Sequence, residues 1–131
     1  MTNAAILCVD DEASVLRSLE IELREAFQDN YFYEFAESAD EALEVLDELQ
    51  EDDVQILIIV SDWLMPGVKG DELLIKVHQK FPRIAKVMLT GQADEEAIER
   101  AKIEADLYQC LRKPWKNSEL VETISSALNR T

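Results

Sequence analysis

Asp10, Asp11, Asp62, Thr90 and Lys113 are the residues whose types could do chemistry together, because each follows or closes an apolar run that reads as a strand. Carboxylates that share one small site repel; at roughly 4 Å and an effective dielectric of about 20, each pair costs about 4 kcal/mol. A divalent cation removes that cost. Mg²⁺ suits such a site, since it binds through few carboxylates, keeps waters and shares a phosphate oxygen. Beside that ion, Asp62 would be a carboxylate nucleophile towards phosphorus. The Lys113 ammonium and the Thr90 hydroxyl would neutralise and hydrogen-bond the oxygens of a transferred phosphoryl group. Chemistry of this kind is mostly electrostatic positioning.

The surrounding elements must bring these groups to one edge. Ile56-Leu57-Ile58-Ile59-Val60 is an unbroken aliphatic run that reads as a strand buried on both faces, with Asp62 near its carboxyl end and Pro66-Gly67 as a turn beyond. Ala4-Ala5-Ile6-Leu7-Cys8-Val9 reads as a first strand ending in Asp10-Asp11-Glu12. Leu16, Leu19, Leu23, Ala26 and Phe27 then recur at helical spacing until Gln28-Asp29-Asn30 breaks the helix. Tyr31-Phe32-Tyr33-Glu34-Phe35-Ala36 is strand-like. Ser38 and Glu41 form a capping-box pattern for a helix with Ala39, Leu43, Leu46 and Leu49 on one stripe.

Gly70 opens a third helix with Leu73, Leu74, Val77 and Phe81 inward. Residues 85–89 read as a fourth strand ending at Thr90-Gly91. Asp94 is the expected cap of a helix with Ala97, Ile98, Ala101 and Ala105 inward. Residues 107–111 read as a fifth strand before Arg112-Lys113-Pro114, and a last helix over 118–128 turns Leu120, Ile124 and Leu128 inward. A β-α alternation repeated five times predicts one α/β domain over residues 1–131, a parallel sheet with helices on both faces and right-handed crossovers. All strand carboxyl ends then share one side, where open parallel sheets bind ligands.

Composition narrows the classes. An apolar fraction of 47% over 131 residues supports one packed core. A formal charge of −15 argues against nucleic acid and anionic membranes as partners, and fits a solvated surface or basic protein partners. No signal-peptide pattern and no run long enough to cross a bilayer are present, so a cytoplasmic location is expected. Cys8 and Cys110 lie in apolar runs and are expected as buried thiols without a disulfide.

Together, Asp10-Asp11, Asp62-Trp63-Leu64-Met65-Pro66-Gly67, Thr90-Gly91 and Lys113-Pro114-Trp115 resemble the receiver domain of two-component response regulators, over residues 4–128. The resemblance implies a flavodoxin-like (βα)5 fold with strand order 2-1-3-4-5. It implies that Asp62 accepts a phosphoryl group from a phosphohistidine of a sensor histidine kinase or phosphotransfer protein. Mg²⁺ would be held by Asp11, Asp62 and the backbone carbonyl of Leu64, with Asp10 acting mainly through water. Thr90 would be the switch hydroxyl. Lys113 would pair with the phosphoryl group, and its bond to Pro114 would be cis. The signal would leave through the fourth helix, fifth strand and fifth helix, towards a downstream protein, an output domain or a second copy in a homodimer.

The sequence departs from the family pattern at two places. Cys110 stands three residues before the lysine, where Tyr or Phe is usual; Tyr108 is the nearest aromatic and is expected to point the other way. Leu64 is apolar where polar residues are frequent, and with Gln92 it should change the dephosphorylation rate. Cys110 therefore keeps open an alternative, a degenerate receiver that acts as a phosphorylation-independent interaction module. A hydrolase with an aspartyl nucleophile is disfavoured because Leu64 occupies the place of its second acid, and a turnover enzyme is not expected. No glycine-rich phosphate loop follows the first strand. His78 reads as a surface or boundary residue, and Trp63 and Trp115 as packing.

Overall fold

The aliphatic runs pair side by side in the computed structural model, which describes residues 3–91 and 95–129. The strands are β1 (Ala4–Val9), β2 (Phe32–Ala36), β3 (Gln55–Asp62), β4 (Ala85–Thr90) and β5 (Gln109–Arg112). The helices are α1 (Ala13–Phe27), α2 (Ala39–Glu51), α3 (Gly70–Lys80), α4 (Glu95–Glu104) and α5 (Asn117–Leu128). All strand pairings are parallel, in the order β2-β1-β3-β4-β5. This is the flavodoxin-like doubly wound fold that the alternation and the resemblance imply.

Side chains alternate between sheet faces, so the core has two layers. Leu7, Val9, Ile59 and Met88 pack with residues of α2, α3 and α4, such as Leu46, Leu73 and Ala101. Ile6, Cys8, Val60 and Val87 pack with Leu19 and Leu23 of α1 and with Leu120 and Ile124 of α5. Ala5 pairs with Ile56 but Ile6 pairs with Ile58, so Leu57 is an extra residue on β3. That bulge leaves Leu57 half-buried while Ile58, Ile59 and Val60 are fully enclosed.

The ends of elements differ from the sequence reading for local reasons. The Leu107 amide donates to the Ala101 carbonyl at the end of α4 (3.2 Å), so β5 starts at Gln109 and not at 107. On α5, Ala127 is buried and Leu128 only half-buried, because the stripe through Leu120 and Ile124 continues to 127. Ala26 of α1 is exposed. Half of the capping box forms: Ser38 Oγ accepts from the Glu41 amide at 3.1 Å, while the Glu41 carboxylate accepts from the Glu37 amide and not from that of Ser38. The expected cap Asp94, like Gln92, lies outside the described residues. Among the described residues no helix is long and apolar enough to cross a membrane.

The sequence did not announce Lys86, whose side chain is fully buried on β4. Its Nζ lies 2.7 Å from His78 Nδ1 and 3.4 Å from the Pro82 carbonyl oxygen. His78 is half-buried, as a boundary residue, at the end of the sheet away from Asp62.

Candidate functional site

β1 and β3 are neighbours, so the residues that end them are brought together. Asp10 follows β1 and is fully buried; Asp62 ends β3 and is 5% exposed. Carboxylate oxygens of Asp10, Asp11 and Asp62 lie within 4.8 Å of one another. Lys113, just past β5, reaches between them, with Nζ donating to Asp10 Oδ2 at 2.8 Å and to Asp62 Oδ1 at 3.1 Å. Asp10 Oδ1 accepts from the Glu12 amide at 2.8 Å, so both Asp10 oxygens have donors and the start of α1 is fixed. Asp11 is exposed at the rim.

The electrostatics follow from this crowding. Burial pushes the Asp62 carboxyl above its ordinary range, and the charges of Asp10 and Asp11 add to the rise; the Lys113 hydrogen bond opposes it without cancelling it. Burial disfavours the Lys113 ammonium, but its hydrogen bonds to Asp10 and Asp62 outweigh that and raise it above the usual lysine value. One ammonium thus serves an excess of acid. A compact set of hard carboxylate oxygens with more negative charge than its lysine offsets fits a small dication such as Mg²⁺.

Thr90 ends β4 one residue beyond Leu89, the register partner of Asp62, and is 2% exposed. Its carbonyl accepts from the Lys113 amide at 2.9 Å, which ties the lysine's backbone to β4. Leu64 lies in the loop after β3 and is 54% exposed. Cys110 is set back in β5 beside Met88 and packs against the α4 side of the sheet. Tyr108 precedes the first residue of β5 and packs on the opposite side, its hydroxyl 2.5 Å from Ser126 Oγ on α5. Cys8 and Cys110 are free. Burial pushes the Cys8 thiol up to about 12, and Cys110 is raised by burial against the lowering charges of Arg112 and Lys102.

The loop after Asp62 is held by its own backbone. The Trp63 amide donates to the Leu89 carbonyl, and the Gly70 amide to the Trp63 carbonyl, both at 2.8 Å. A Cβ on Gly70 would sit 2.1 Å from the Asp62 carbonyl oxygen and 2.8 Å from Trp63 Cα. Since the neighbours are backbone atoms, Gly70→Ala must move the end of β3 that carries Asp62. The expected outcome is a loss of about 1–3 kcal/mol in urea unfolding. Full stability in the alanine protein would contradict this packing.

Other polar contacts had no signal in the sequence. Trp63 Nε1 donates to Asp71 Oδ1 at 3.2 Å, and Asp71 pairs with Arg100 of α4 at 3.6 Å. Trp115 Nε1 donates to both carboxylate oxygens of Glu22, at 3.1 and 3.2 Å, and Asn117 Nδ2 donates to Glu22 Oε1 at 2.8 Å. Both tryptophans pack as expected, and each also holds a carboxylate. Glu22 lies 93 residues from Trp115, so only the folded chain joins them.

Comparison with known proteins agrees with the fold. The family model described as the response regulator receiver domain matches residues 6–125. The hydrogenase transcriptional regulatory protein HoxA of Cupriavidus necator is 34% identical over 95% of this chain, which spans only 24% of that protein. The chemotaxis protein CheY-3 of Vibrio cholerae is 29% identical, with 98% of this chain and 94% of that protein covered. A response regulator receiver domain from Clostridium thermocellum superposes with a TM-score of 0.84 at 28% identity, covering 97% of this chain and 95% of that one. The chain belongs to the response regulator receiver domain family.

Proposed function

We propose that this chain is a phosphorylation-dependent switch that accepts a phosphoryl group on Asp62 from the phosphohistidine of a sensor histidine kinase or phosphotransfer protein. As a receiver domain of two-component response regulators it is a phosphorylation-based signalling module. The observation that carries the finer reading is the buried Asp62 carboxylate at a strand's carboxyl end, 3.1 Å from Lys113 Nζ and within 4.8 Å of two more acids. A free Asp62 oxygen attacks phosphorus as the bond from phosphorus to the donor's imidazole nitrogen breaks, and the electron pair leaves with the imidazole. Lys113 then meets the charge gathered on the transferred oxygens. The Thr90 hydroxyl, one residue past Asp62's neighbour on β4, is the group proposed to bond a phosphoryl oxygen and read its arrival. Asp10 keeps Lys113 aimed at the site through its 2.8 Å contact. Asp11, Asp62 and the Leu64 backbone carbonyl would hold Mg²⁺, with Asp10 acting mainly through water, and the ion would supply neutralisation of phosphoryl charge.

The output face is proposed to be α4, β5 and α5, where Ile103 is 75% exposed on α4. Its partner would be a downstream protein, an output domain or a second copy, and the charge of −15 disfavours nucleic acid and anionic membrane for this domain. A cytoplasmic setting is part of this proposal. The alternative, a module that signals without phosphorylation, draws its support from Cys110 alone. Intact-mass spectrometry after incubation with Mg²⁺ and acetyl phosphate separates the two. One added phosphoryl group that requires Mg²⁺ is the expected result. An unmodified protein that also fails to bind beryllofluoride would favour the binding-only module.

A further inference from the structure

Lys113 needs a rigid base, because a lysine is a point charge on a flexible four-carbon stem. Upstream, its amide is tied to the Thr90 carbonyl at 2.9 Å. Downstream, the chain has left β5, and Lys113, Pro114 and Trp115 precede α5 without strand pairing. What fixes this downstream side is one carboxylate on another element. Glu22, half-buried on α1, takes hydrogen bonds from the Trp115 indole at 3.1 and 3.2 Å and from the Asn117 side-chain Nδ2 at 2.8 Å. Bonds to an ionised acceptor are stronger than neutral ones. The Trp115 ring packs on the cluster that includes Leu19, Leu23 and Leu120, so the clamp is anchored in the core.

We infer that Glu22 is a positioning residue for Lys113: by clamping Trp115 and Asn117 onto α1 it sets where the lysine's ammonium stands relative to Asp62. The inference rests on the reading of Asp62 as acceptor and Lys113 as its phosphoryl partner. A misplacement near 1 Å can cost orders of magnitude in a positioned reaction, so loosening the segment slows the chemistry without removing any reacting group. Glutamine at 22 offers a single amide oxygen in place of two carboxylate oxygens. It can keep part of the clamp, whereas alanine keeps none.

The test uses acetyl phosphate, which is too small to depend on a kinase docking against α1. Glu22→Ala should lower the maximal phosphorylation rate about tenfold, with less change in the donor concentration for half-maximal rate. Glu22→Gln should recover most of that loss. In a Lys113→Ala background, Glu22→Ala should cost nothing further, because its effect passes through the lysine. Amide exchange at residues 113–117 should rise in Glu22→Ala. A parent-like rate in Glu22→Ala, or the same fold-loss with and without Lys113, overturns the inference. If circular dichroism finds Glu22→Ala unfolded, Trp115→Phe combined with Asn117→Ala removes the same donors and is read by the same cycle. A parent protein that takes up no phosphoryl group defeats the underlying reading, and the clamp's role with it.

Discussion

Asp62→Asn should take up no phosphoryl group from acetyl phosphate while folding as the parent does. Asparagine has nearly the shape of aspartate and keeps an oxygen for Lys113, but it offers no carboxylate to phosphorus. The same change should stabilise the domain in Mg²⁺-free buffer at neutral pH. In the folded parent, Asp62 is buried beside Asp10 and Asp11, and its carboxyl is raised. Just above the ordinary carboxylate range, the folded state therefore holds a proton that the unfolded state has released. Stability of the parent falls as pH rises through that window, and asparagine has nothing to titrate there. Urea midpoints for the two proteins should lie furthest apart at neutral pH and converge in acid. A gap that widens in acid would mean that the Asp62 carboxylate stabilises the metal-free fold. Stable incorporation of phosphate by the asparagine protein would remove Asp62 from its assigned role.

Lys113→Ala should slow phosphorylation by roughly 10²–10³-fold, the loss typical of deleting one preorganised group at developing charge. The ammonium touches Asp10 at 2.8 Å and Asp62 at 3.1 Å, which under the proposed function is where the transferred oxygens would arrive. Its removal also takes a cation away from three neighbouring acids. Mg²⁺ affinity, measured by calorimetry without a phosphodonor, should therefore hold or increase while the rate falls. That opposition separates a charge-neutralising lysine from one that merely holds the fold. Parallel loss of rate, Mg²⁺ binding and unfolding stability would assign Lys113 to structure.

The constellation was legible because it hangs on backbone rules. Buried apolar runs at β1, β3 and β4, and the short β5 around Leu111, end in or lead into polar residues, and parallel pairing puts those ends on one edge. Asp10, Asp11, Asp62, Thr90 and Lys113 therefore could be gathered before any coordinate was known. Strand parity was less safe. Tyr108 and Cys110 share parity, yet they face opposite sides because Tyr108 stands before the strand begins. The Leu57 bulge broke the same rule inside β3. Side-chain contacts between distant helices and loops had no periodic signature. Glu22 looks like one more acid on the polar face of α1, and Asp71 like helix-start charge on α3. Lys86 reads as an unlikely core residue until His78 is found beside it.

The acceptor itself can be located by chemistry. After incubation with Mg²⁺ and acetyl phosphate, borohydride reduces an aspartyl phosphate to homoserine, and peptide mapping then names the position. The account predicts homoserine at position 62 and at no other aspartate. Homoserine at position 10 or 11, or a phosphorylated protein whose Asp62 survives reduction unchanged, would contradict it.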